Sequence, residues 1–293
     1  MSGPIYIGGA SASGKSALAL ELALRLGGEV VNADAFQLYC GIPILTAAPS
    51  AEDQERVPHH LYGVLSPADS INAGEYARMA SAVIQRILDR GVTPIVCGGS
   101  GLYLKFLTHG SSALPTADAA LRAEMETKPL DVLVAELRSL DPAEAERISL
   151  LNRRYVERAL EICICSGRRA SDLRREWTES SREREADLRG IWVCRERGEL
   201  HERIATRTRE MLQSGAIEEV GALGQVSATC EKAIGLREIR ELLHGRIDLE
   251  RCCEKINVAT RQYAKRQETW FRREKWMQPY TAQLGNLSDL SFL

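Results

Sequence analysis

A glycine-rich loop near the start of this 293-residue chain offers the clearest chemistry. Residues 9–16 satisfy the pattern G-x-x-x-x-G-K-[ST], between an apolar segment and a helical one. Such a loop turns backbone N–H groups toward a phosphate, adds the charge of the lysine, and presents the last hydroxyl to Mg²⁺. The sequence therefore predicts a phosphate-binding loop, although the motif does not select one polyphosphate. Its residues are Gly9, Ala10, Ser11, Ala12, Ser13, Gly14, Lys15 and Ser16.

Two more polar residues follow predicted strands. Asp34 ends the second strand, residues 29–34, and Ser100 follows the third. Because ligands of open α/β sheets collect at the carboxyl ends of strands, Asp34 can lie beside the loop; a helix N-cap or a surface turn is the alternative. Gly98 and Gly99 either let a ligand approach the backbone or form an ordinary strand-to-helix turn. No Walker-B aspartate ends this strand, which counts against ATP hydrolysis.

Strands and helices alternate at both ends of the chain, which favours a parallel sheet. Strands are predicted at residues 4–7, 29–34, 93–97 and 191–194, and helices at 16–26, 75–90, 199–214, 216–223, 231–243 and 249–275. Between them, helices are predicted at 118–127, 131–140 and 143–166, the last capped by Asp141 with Pro142 at its first position. The tail after Pro279 is expected to be irregular.

These patterns predict an α/β fold, namely a P-loop NTPase-like parallel sheet flanked by helices with a helical insertion domain. Residues 1–110 and 190–293 would form the catalytic core, and residues 111–189 the insertion.

The overall charge is close to neutral, with 38 Lys and Arg against 40 Asp and Glu, so it predicts no nucleic acid. Residues 153–189 nevertheless carry ten arginines and no lysine. They form either a nucleic-acid surface or helix faces with ion pairs to glutamates such as Glu157 and Glu161. The eight cysteines include no C-x-x-C pair, and no basic segment precedes the first apolar run. We expect reduced, mostly buried thiols and a cytoplasmic protein without a membrane span.

Ten short motifs occur in a characteristic order along the chain. They lie at residues 9–16, 32–39, 46–50, 58–61, 98–103, 158–161, 201–207, 233–235, 259–267 and 270–272. Together they closely resemble the tRNA dimethylallyltransferase (tRNA isopentenyltransferase) family over nearly the whole chain. The bacterial type is the better match, because the C-terminal zinc finger of eukaryotic members has no counterpart here.

The resemblance implies that the loop holds the diphosphate of dimethylallyl diphosphate. The dimethylallyl group would pass to N6 of adenosine 37, next to the anticodon, in tRNAs that read codons starting with U. Asp34 would act as general base toward N6. Lys15, Ser16 with bound Mg²⁺, Ser100 and Arg207 would stabilise the departing diphosphate. For Arg207, an ordinary position on a helix surface is the alternative.

The resemblance also implies contacts with the anticodon stem–loop, in which Ala35, Phe36 and Gln37 face the flipped base. The expected tRNA-binding residues are Asp34, Ala35, Phe36, Gln37, Ser100, Arg122, Arg154, Tyr155, Arg158, Lys232, Gly235, Arg237, Lys265, Arg266, Trp270 and Arg272. Leu45, Ala48, Tyr155 and Leu236 depart from the family pattern and place individual contacts in doubt. The partners would be tRNA and dimethylallyl diphosphate. We expect no association with a membrane, and we expect a monomer.

Three other functions remain open at this point. A prenyltransferase acting on free AMP would lack the arginine-rich helical parts, and a P-loop kinase of small metabolites would turn over ATP. A non-catalytic RNA-binding protein of this fold would not need Lys15, Ser16 and Asp34 intact.

Overall fold

The computed structural model describes residues 3–110 and 119–281. They fall into two compact units, one formed by residues up to Thr108 together with those from Asp187 onward, and a second spanning His109–Ala186.

The first unit is built on a parallel sheet of six strands. The strands are β1 (Ile5–Gly9), β2 (Glu29–Asn32), β3 (His59–His60), β4 (Pro94–Gly98), β5 (Arg189–Cys194) and β6 (Met277–Thr281). Their order is β3-β2-β4-β1-β5-β6, and every neighbouring pair is parallel. Every residue of β1, β2 and β4 is buried, as near-continuous apolar runs in a parallel sheet require. The carboxyl ends of the strands therefore meet at one edge, which confirms the predicted sheet.

Helices connect the strands as the sequence predicts, but those at Pro43–Thr46, Ala51–Arg56 and Ala170–Glu185 were not predicted. The helices are α1 (Lys15–Leu26), α2 (Pro43–Thr46), α3 (Ala51–Arg56), α4 (Ala73–Asp89), α5 (Gly101–His109), α6 (Ala119–Thr127), α7 (Leu130–Leu140), α8 (Pro142–Arg147), α9 (Arg153–Ser166), α10 (Ala170–Glu185), α11 (Arg197–Gln213), α12 (Ala216–Ala222), α13 (Leu236–Leu243) and α14 (Leu249–Phe271). Within the second unit, α7 and α9 enclose a core of Leu133, Leu137, Val156 and Leu160. In the first unit, apolar clusters cover both faces of the sheet.

Two predicted helices are each interrupted. Residues 143–166 form α8 and α9, separated by a short turn in which Ile148 and Leu150 pack against the core of the second unit. Tertiary packing outweighs helix propensity at this point. Residues 231–243 form a 3₁₀ turn, Cys230–Lys232, followed by α13, because Gly235 adopts φ +98° and breaks the helix. The predicted Asp141 cap is confirmed, since its side chain accepts the Glu144 N–H.

The prediction of an irregular tail after Pro279 is wrong for Tyr280 and Thr281, which belong to β6, and the rest of the tail lies outside the described residues. This strand pairs with β5 at the edge of the sheet. An edge strand tolerates proline because one row of its backbone groups needs no partner strand.

All eight cysteines are free thiols, and Cys97, Cys163, Cys230 and Cys252 are buried. Among the described residues, no helix is long and apolar enough to cross a membrane.

Candidate functional site

The loop between β1 and α1 adopts a conformation that its glycines make possible. Gly14 precedes α1 with φ +100°, which favours glycine. A side chain at Gly9 would place its Cβ 2.7 Å from the Ser13 hydroxyl oxygen. The Ala10 carbonyl accepts the Ser13 N–H at 3.2 Å and the Lys15 ammonium at 3.3 Å. The loop is therefore a tight turn at the start of a helix, where anions are stabilised.

Two arginines to which the sequence analysis gave no role donate to the backbone of this loop. Arg203 donates to the Ala12 carbonyl at 2.8 Å, and Arg195 donates to the Ser13 carbonyl at 2.6 Å. The C=O and N–H of one trans peptide unit point in opposite directions. Fixing the Ser13 carbonyl on Arg195 therefore turns the N–H of Gly14 away from that arginine. The sequence offers one indirect sign of this arrangement. Both arginines follow soon after β5 in the chain, and β5 pairs with β1, the strand that leads into the loop.

Asp34 lies in a turn just after β2, where no helix begins, so the N-cap alternative does not apply. Asn32 shapes the turn: its Oδ1 accepts the Asp34 N–H at 2.7 Å, and its Nδ2 donates to the Asp34 carbonyl at 3.0 Å. The Asp34 carboxylate accepts the Phe36 N–H at 3.2 Å. Asn32 is fully buried and also donates to the Leu61 carbonyl. It is thus a positioning residue, a role that its place in a family motif did not indicate.

The second glycine turn packs against the turn that carries Asp34. The Ser100 hydroxyl oxygen accepts the Ala35 N–H at 2.9 Å, which leaves its own hydrogen to donate elsewhere. A Cβ on Gly98 would lie 2.1 Å from the Ala33 carbonyl oxygen, and one on Gly99 would lie 2.1 Å from Nε2 of Gln267. Protein atoms fill the space beside both glycines. The expectation that a ligand approaches the backbone here is therefore replaced by the ordinary strand-to-helix turn.

Gln267 on α14 links the two glycine turns. Its Oε1 accepts the Ser11 N–H at 2.8 Å, and its Nε2 donates to the Gly99 carbonyl at 2.9 Å. The side chain is 4 % exposed. The resemblance brought this residue into a motif but gave it no role, and its partners lie 256 and 168 positions away in the chain.

One cleft gathers most of the predicted catalytic residues. Lys15, Ser16, Asp34 and Arg207 all line it, together with Phe36 and Gln37. Burial lowers the pKa of the Lys15 ammonium, whereas the Asp34 carboxylate acts to raise it. Burial also lowers the pKa of Arg207, and Asp34 again opposes that effect. Arg207 donates to the Thr46 carbonyl at 3.3 Å, so it is a residue of the cleft and not of an open helix surface.

Tyr263 on α14 adds an aromatic wall that the sequence did not predict. Its ring lies 6.3 Å from the Phe36 ring, and the Arg266 guanidinium lies 5.6 Å from its centroid. Burial raises the pKa of the Tyr263 hydroxyl, with the Asp34 charge adding to that effect and hydrogen bonds to Ser100 and Gln267 opposing it. The hydroxyl therefore stays protonated at neutral pH, beside Asp34.

Gln37 uses its amide within the protein. Its Nε2 donates to the carbonyls of Thr46 at 3.0 Å and Ala47 at 2.8 Å. Ala47 has φ +48°, an uncommon conformation for a residue with a side chain. Gln37 thus holds the turn that ends α2 through the nitrogen of its amide.

The residues expected to bind tRNA differ in their surroundings. Exposed on the surface are Arg154, Tyr155, Lys232, Arg237, Lys265, Arg266 and Arg272. Arg122 and Arg158 instead bind the same buried carboxylate, Glu161. Gly235 is buried, and Trp270 packs against Gly101, where a Cβ would lie 2.3 Å from its ring. Gly235 and Trp270 therefore serve the fold in this structure.

Many arginines of residues 153–189 pair with carboxylates. Arg153 pairs with Glu157 and Arg158 with Glu161, as the ion-pair interpretation predicts. Glu144, which the sequence did not suggest, is fully buried and pairs with both Arg147 and Arg174. The positive charge of this segment is thus partly used to stabilise the second unit.

A phosphate-binding loop between a buried strand and a helix, at the carboxyl edge of a parallel sheet, defines an α/β protein of the P-loop type. The model of one sequence family, IPP transferase, matches residues 37–274. The chain belongs to the IPP transferase family, which confirms the resemblance.

Relatives and solved structures extend over nearly the whole chain. A tRNA dimethylallyltransferase of Akkermansia muciniphila is 46 % identical over 278 residues, covering 95 % of this chain and 93 % of the relative. One of Anaeromyxobacter dehalogenans is 40 % identical over 287 residues, covering 94 % and 92 %. The full-length tRNA isopentenylpyrophosphate transferase of Bacillus halodurans superposes with a TM-score of 0.71 at 31 % identity, covering 99 % of this chain and 93 % of that one. A eukaryotic dimethylallyltransferase acting on tRNA gives 0.80 at 26 % identity, covering 100 % and 77 %. The predicted fold class is confirmed.

Proposed function

We propose that this protein is a tRNA dimethylallyltransferase that moves the dimethylallyl group of dimethylallyl diphosphate to N6 of adenosine 37, in tRNAs that read codons starting with U. The cleft carries the proposal: it places a carboxylate, Asp34, beside the cations Lys15 and Arg207, at a loop shaped for phosphate. This is the combination that proton removal from an amine and departure of a diphosphate require.

In the proposed reaction, the N6 lone pair forms a bond to C1 of the allyl group while the C1–O bond breaks. The bonding pair leaves with the diphosphate, and the N6 proton passes to the Asp34 carboxylate. Lys15, Arg207 and the N–H groups at the start of α1 meet the growing charge on the diphosphate. The Ser100 hydroxyl, anchored by the Ala35 N–H, can donate its own hydrogen within the same site.

The donor set of this chain fits Mg²⁺. Ser16 presents a hydroxyl oxygen at the start of α1, and Mg²⁺ is commonly held by one or two protein oxygens together with phosphate oxygens and water. Burial raises the pKa of the neighbouring Cys97 thiol to about 12, so this thiol stays neutral and is a poor ligand for a hard cation. We assign Ser16 as the protein ligand. Bound Mg²⁺ would neutralise charge on the leaving diphosphate.

The second substrate in this proposal is the anticodon stem–loop of tRNA. Lysines and arginines exposed on α14 and on α9 are suited to phosphate contacts, while Phe36 and Tyr263 offer rings to a base taken out of its stack. The second unit, His109–Ala186, would contact tRNA through the exposed start of α9. We propose that the enzyme acts in the cytoplasm, where its tRNA substrate would be met, and that it acts as a monomer.

The test uses purified protein with Mg²⁺ and radiolabelled dimethylallyl diphosphate. Unmodified tRNA with adenosine at positions 36 and 37, or free AMP, serves as acceptor, and ATP consumption is followed in parallel. We expect label at adenosine 37 without loss of ATP. Label in AMP alone would assign the protein to AMP prenyltransferases, and loss of ATP without prenylation would mean that the loop holds a nucleotide.

A further inference from the structure

The cleft changes character along its length. One end carries Lys15, Asp34 and Arg207, which the proposed reaction uses. The cleft is also lined by aliphatic side chains to which that reaction gives no role, and we call this part the aliphatic end: Leu45, Met211, Ala233, Ile234 and Ile256.

Two helices run from the phosphate loop to this aliphatic end. On α11, Arg203 contacts the loop, and Met211 lies two turns farther on, about 12 Å along the axis. On α14, Gln267 contacts the loop, and Ile256 lies about 17 Å back along the axis. Both helices therefore form walls that connect a diphosphate site with an apolar end.

The aliphatic end is closed. A Cβ built on Gly235 would lie 2.7 Å from Cδ1 of Leu45, 3.7 Å from Cδ1 of Ile256 and 3.8 Å from Cε of Met211, so three side-chain tips surround one point. These three residues are 5 %, 2 % and 9 % exposed. We call Leu45, Met211 and Ile256 the floor of the cleft.

The threonines on these helix faces do not make the floor polar. Thr208 donates its hydroxyl to the Ile204 carbonyl at 2.9 Å, and Thr260 donates to the Ile256 carbonyl at 2.7 Å. Both hydroxyls are satisfied by their own helix. A ligand that reaches the floor meets carbon atoms, so a hydrocarbon chain suits this end better than a polar group.

We propose that the aliphatic end binds the prenyl chain of the donor and that the floor limits this chain to one isoprene unit. The proposal rests on the proposed function and adds the residues that select the donor. A longer prenyl chain whose diphosphate occupies the loop would collide with Met211 and Ile256. These side chains are buried in a packed core, where room for extra carbon atoms is made only at a cost.

The experiment compares dimethylallyl diphosphate with geranyl diphosphate, which is one isoprene unit longer, as donors to the same tRNA. The bonds formed and broken are the same for both donors. In Met211→Ala and Ile256→Ala, we expect the ratio of kcat/KM for geranyl to kcat/KM for dimethylallyl diphosphate to rise about tenfold or more over wild type. Leu212→Ala is the matched control, since Leu212 is 8 % exposed in the same core but does not line the cleft. It should leave the ratio unchanged.

An unchanged ratio in the folded alanine variants would overturn the proposed role of the floor. A rise in the KM for tRNA alone would also overturn it, because the base of the tRNA would then occupy this end of the cleft. If neither alanine variant folds by circular dichroism, Ile256→Val removes a single methyl group and should move the ratio in the same direction. Its failure to do so would also count against the floor. Wild-type protein that does not prenylate tRNA from dimethylallyl diphosphate would instead refute the proposed function.

Discussion

Asp34 owes its position to hydrogen bonds from its own neighbourhood. Asn32 binds both the N–H and the carbonyl of Asp34, and Phe36 donates to its carboxylate. The side chain is half-buried and faces the cleft beside Lys15 and Arg207. A carboxylate held in this way, in the same cleft as two basic side chains, is placed to accept a proton when an amine attacks.

At this scale we predict that Asp34→Asn lowers kcat about 10²–10⁴-fold, the usual contribution of a positioned base, and leaves tRNA binding close to wild type. Single-turnover kinetics and a filter-binding assay would measure the two quantities. Asp53→Asn, on the surface helix α3, is the control and should change neither. Turnover near wild type in Asp34→Asn would remove Asp34 from the role of base.

Helix α14 organises the site at the level of elements. Gln267 connects the phosphate loop to the turn after β4, and the rings of Trp270 and Phe271 pack against Gly101 and Gly8. Glycine is required at both positions, since a Cβ would lie 2.3 Å from the Trp270 ring and 2.2 Å from the Phe271 ring. The close approach of this helix to the strand ends therefore depends on residues without side chains.

We predict that Gln267→Leu lowers the free energy of unfolding by about 1–3 kcal/mol, because the half-buried Ser11 N–H and the buried Gly99 carbonyl both lose their partner. Binding of inorganic diphosphate should weaken as well, since Ser11 belongs to the loop. Urea unfolding and titration calorimetry would measure these effects. Gln262→Leu, an exposed change on the same helix, should show neither loss. Wild-type stability in Gln267→Leu would mean that this bridge is dispensable.

Glu29 joins three elements at the amino end of β2. It is 6 % exposed and accepts hydrogen bonds from Arg90, after α4, at 2.6 and 2.9 Å, and from His60 of β3 at 2.7 Å. Burial by itself raises the pKa of this carboxyl, but the hydrogen bonds from Arg90 and His60 outweigh it and hold the pKa below its ordinary value of 4.5. A carboxyl with a lowered pKa in the folded state contributes stability above its unfolded pKa and loses it as the pH falls.

We therefore predict that Glu29→Gln is less stable than wild type at pH 7 and that the difference shrinks as the pH falls below 4.5. Thermal midpoints of both proteins, recorded from pH 7 down to about 1 pH unit below the ordinary carboxyl pKa, would test this. Glu52→Gln, on the exposed start of α3, should give a difference that does not depend on pH in this way. A gap that widens in acid would contradict the assignment.

At the scale of the whole molecule, a near-neutral chain is proposed to bind a polyanion, so its exposed cations must act locally. Within the second unit, Arg153, Arg158 and Arg174 each bind a glutamate. Arg154 is exposed at the start of α9, beside Tyr155, whose side chain is 53 % exposed. Arg154 is thus better placed than its neighbours to meet a phosphate.

We predict that Arg154→Ala weakens tRNA binding and lowers the slope of log Kd against log salt by about 1, the loss of one phosphate contact. The KM for dimethylallyl diphosphate should not change. Arg168→Ala, which removes a guanidinium paired with Glu176, is the control and should leave the salt slope near wild type. Equal slopes in wild type and Arg154→Ala would exclude a phosphate contact at this residue.

Much of the fold and part of the site follow from local sequence. The β1–loop–α1 opening, the buried strands and the Asp141 cap depend on neighbouring residues, because the period of apolar positions and the chemistry of caps act over a few residues. The positions of Asp34 and Ser100 at strand ends follow for the same reason. Family motifs then add what these residues do, which no local pattern contains.

The tertiary structure alone decided which distant groups meet. Gln267 reaches the Ser11 backbone, Arg195 and Arg203 hold the loop, and Pro279 lies in an edge strand. It also decided which arginines are paired and that Gly235 lies buried among the aliphatic floor. Sequence periodicity shows that a face is buried but not what covers it, since the covering residues are chosen by the packing of the whole chain.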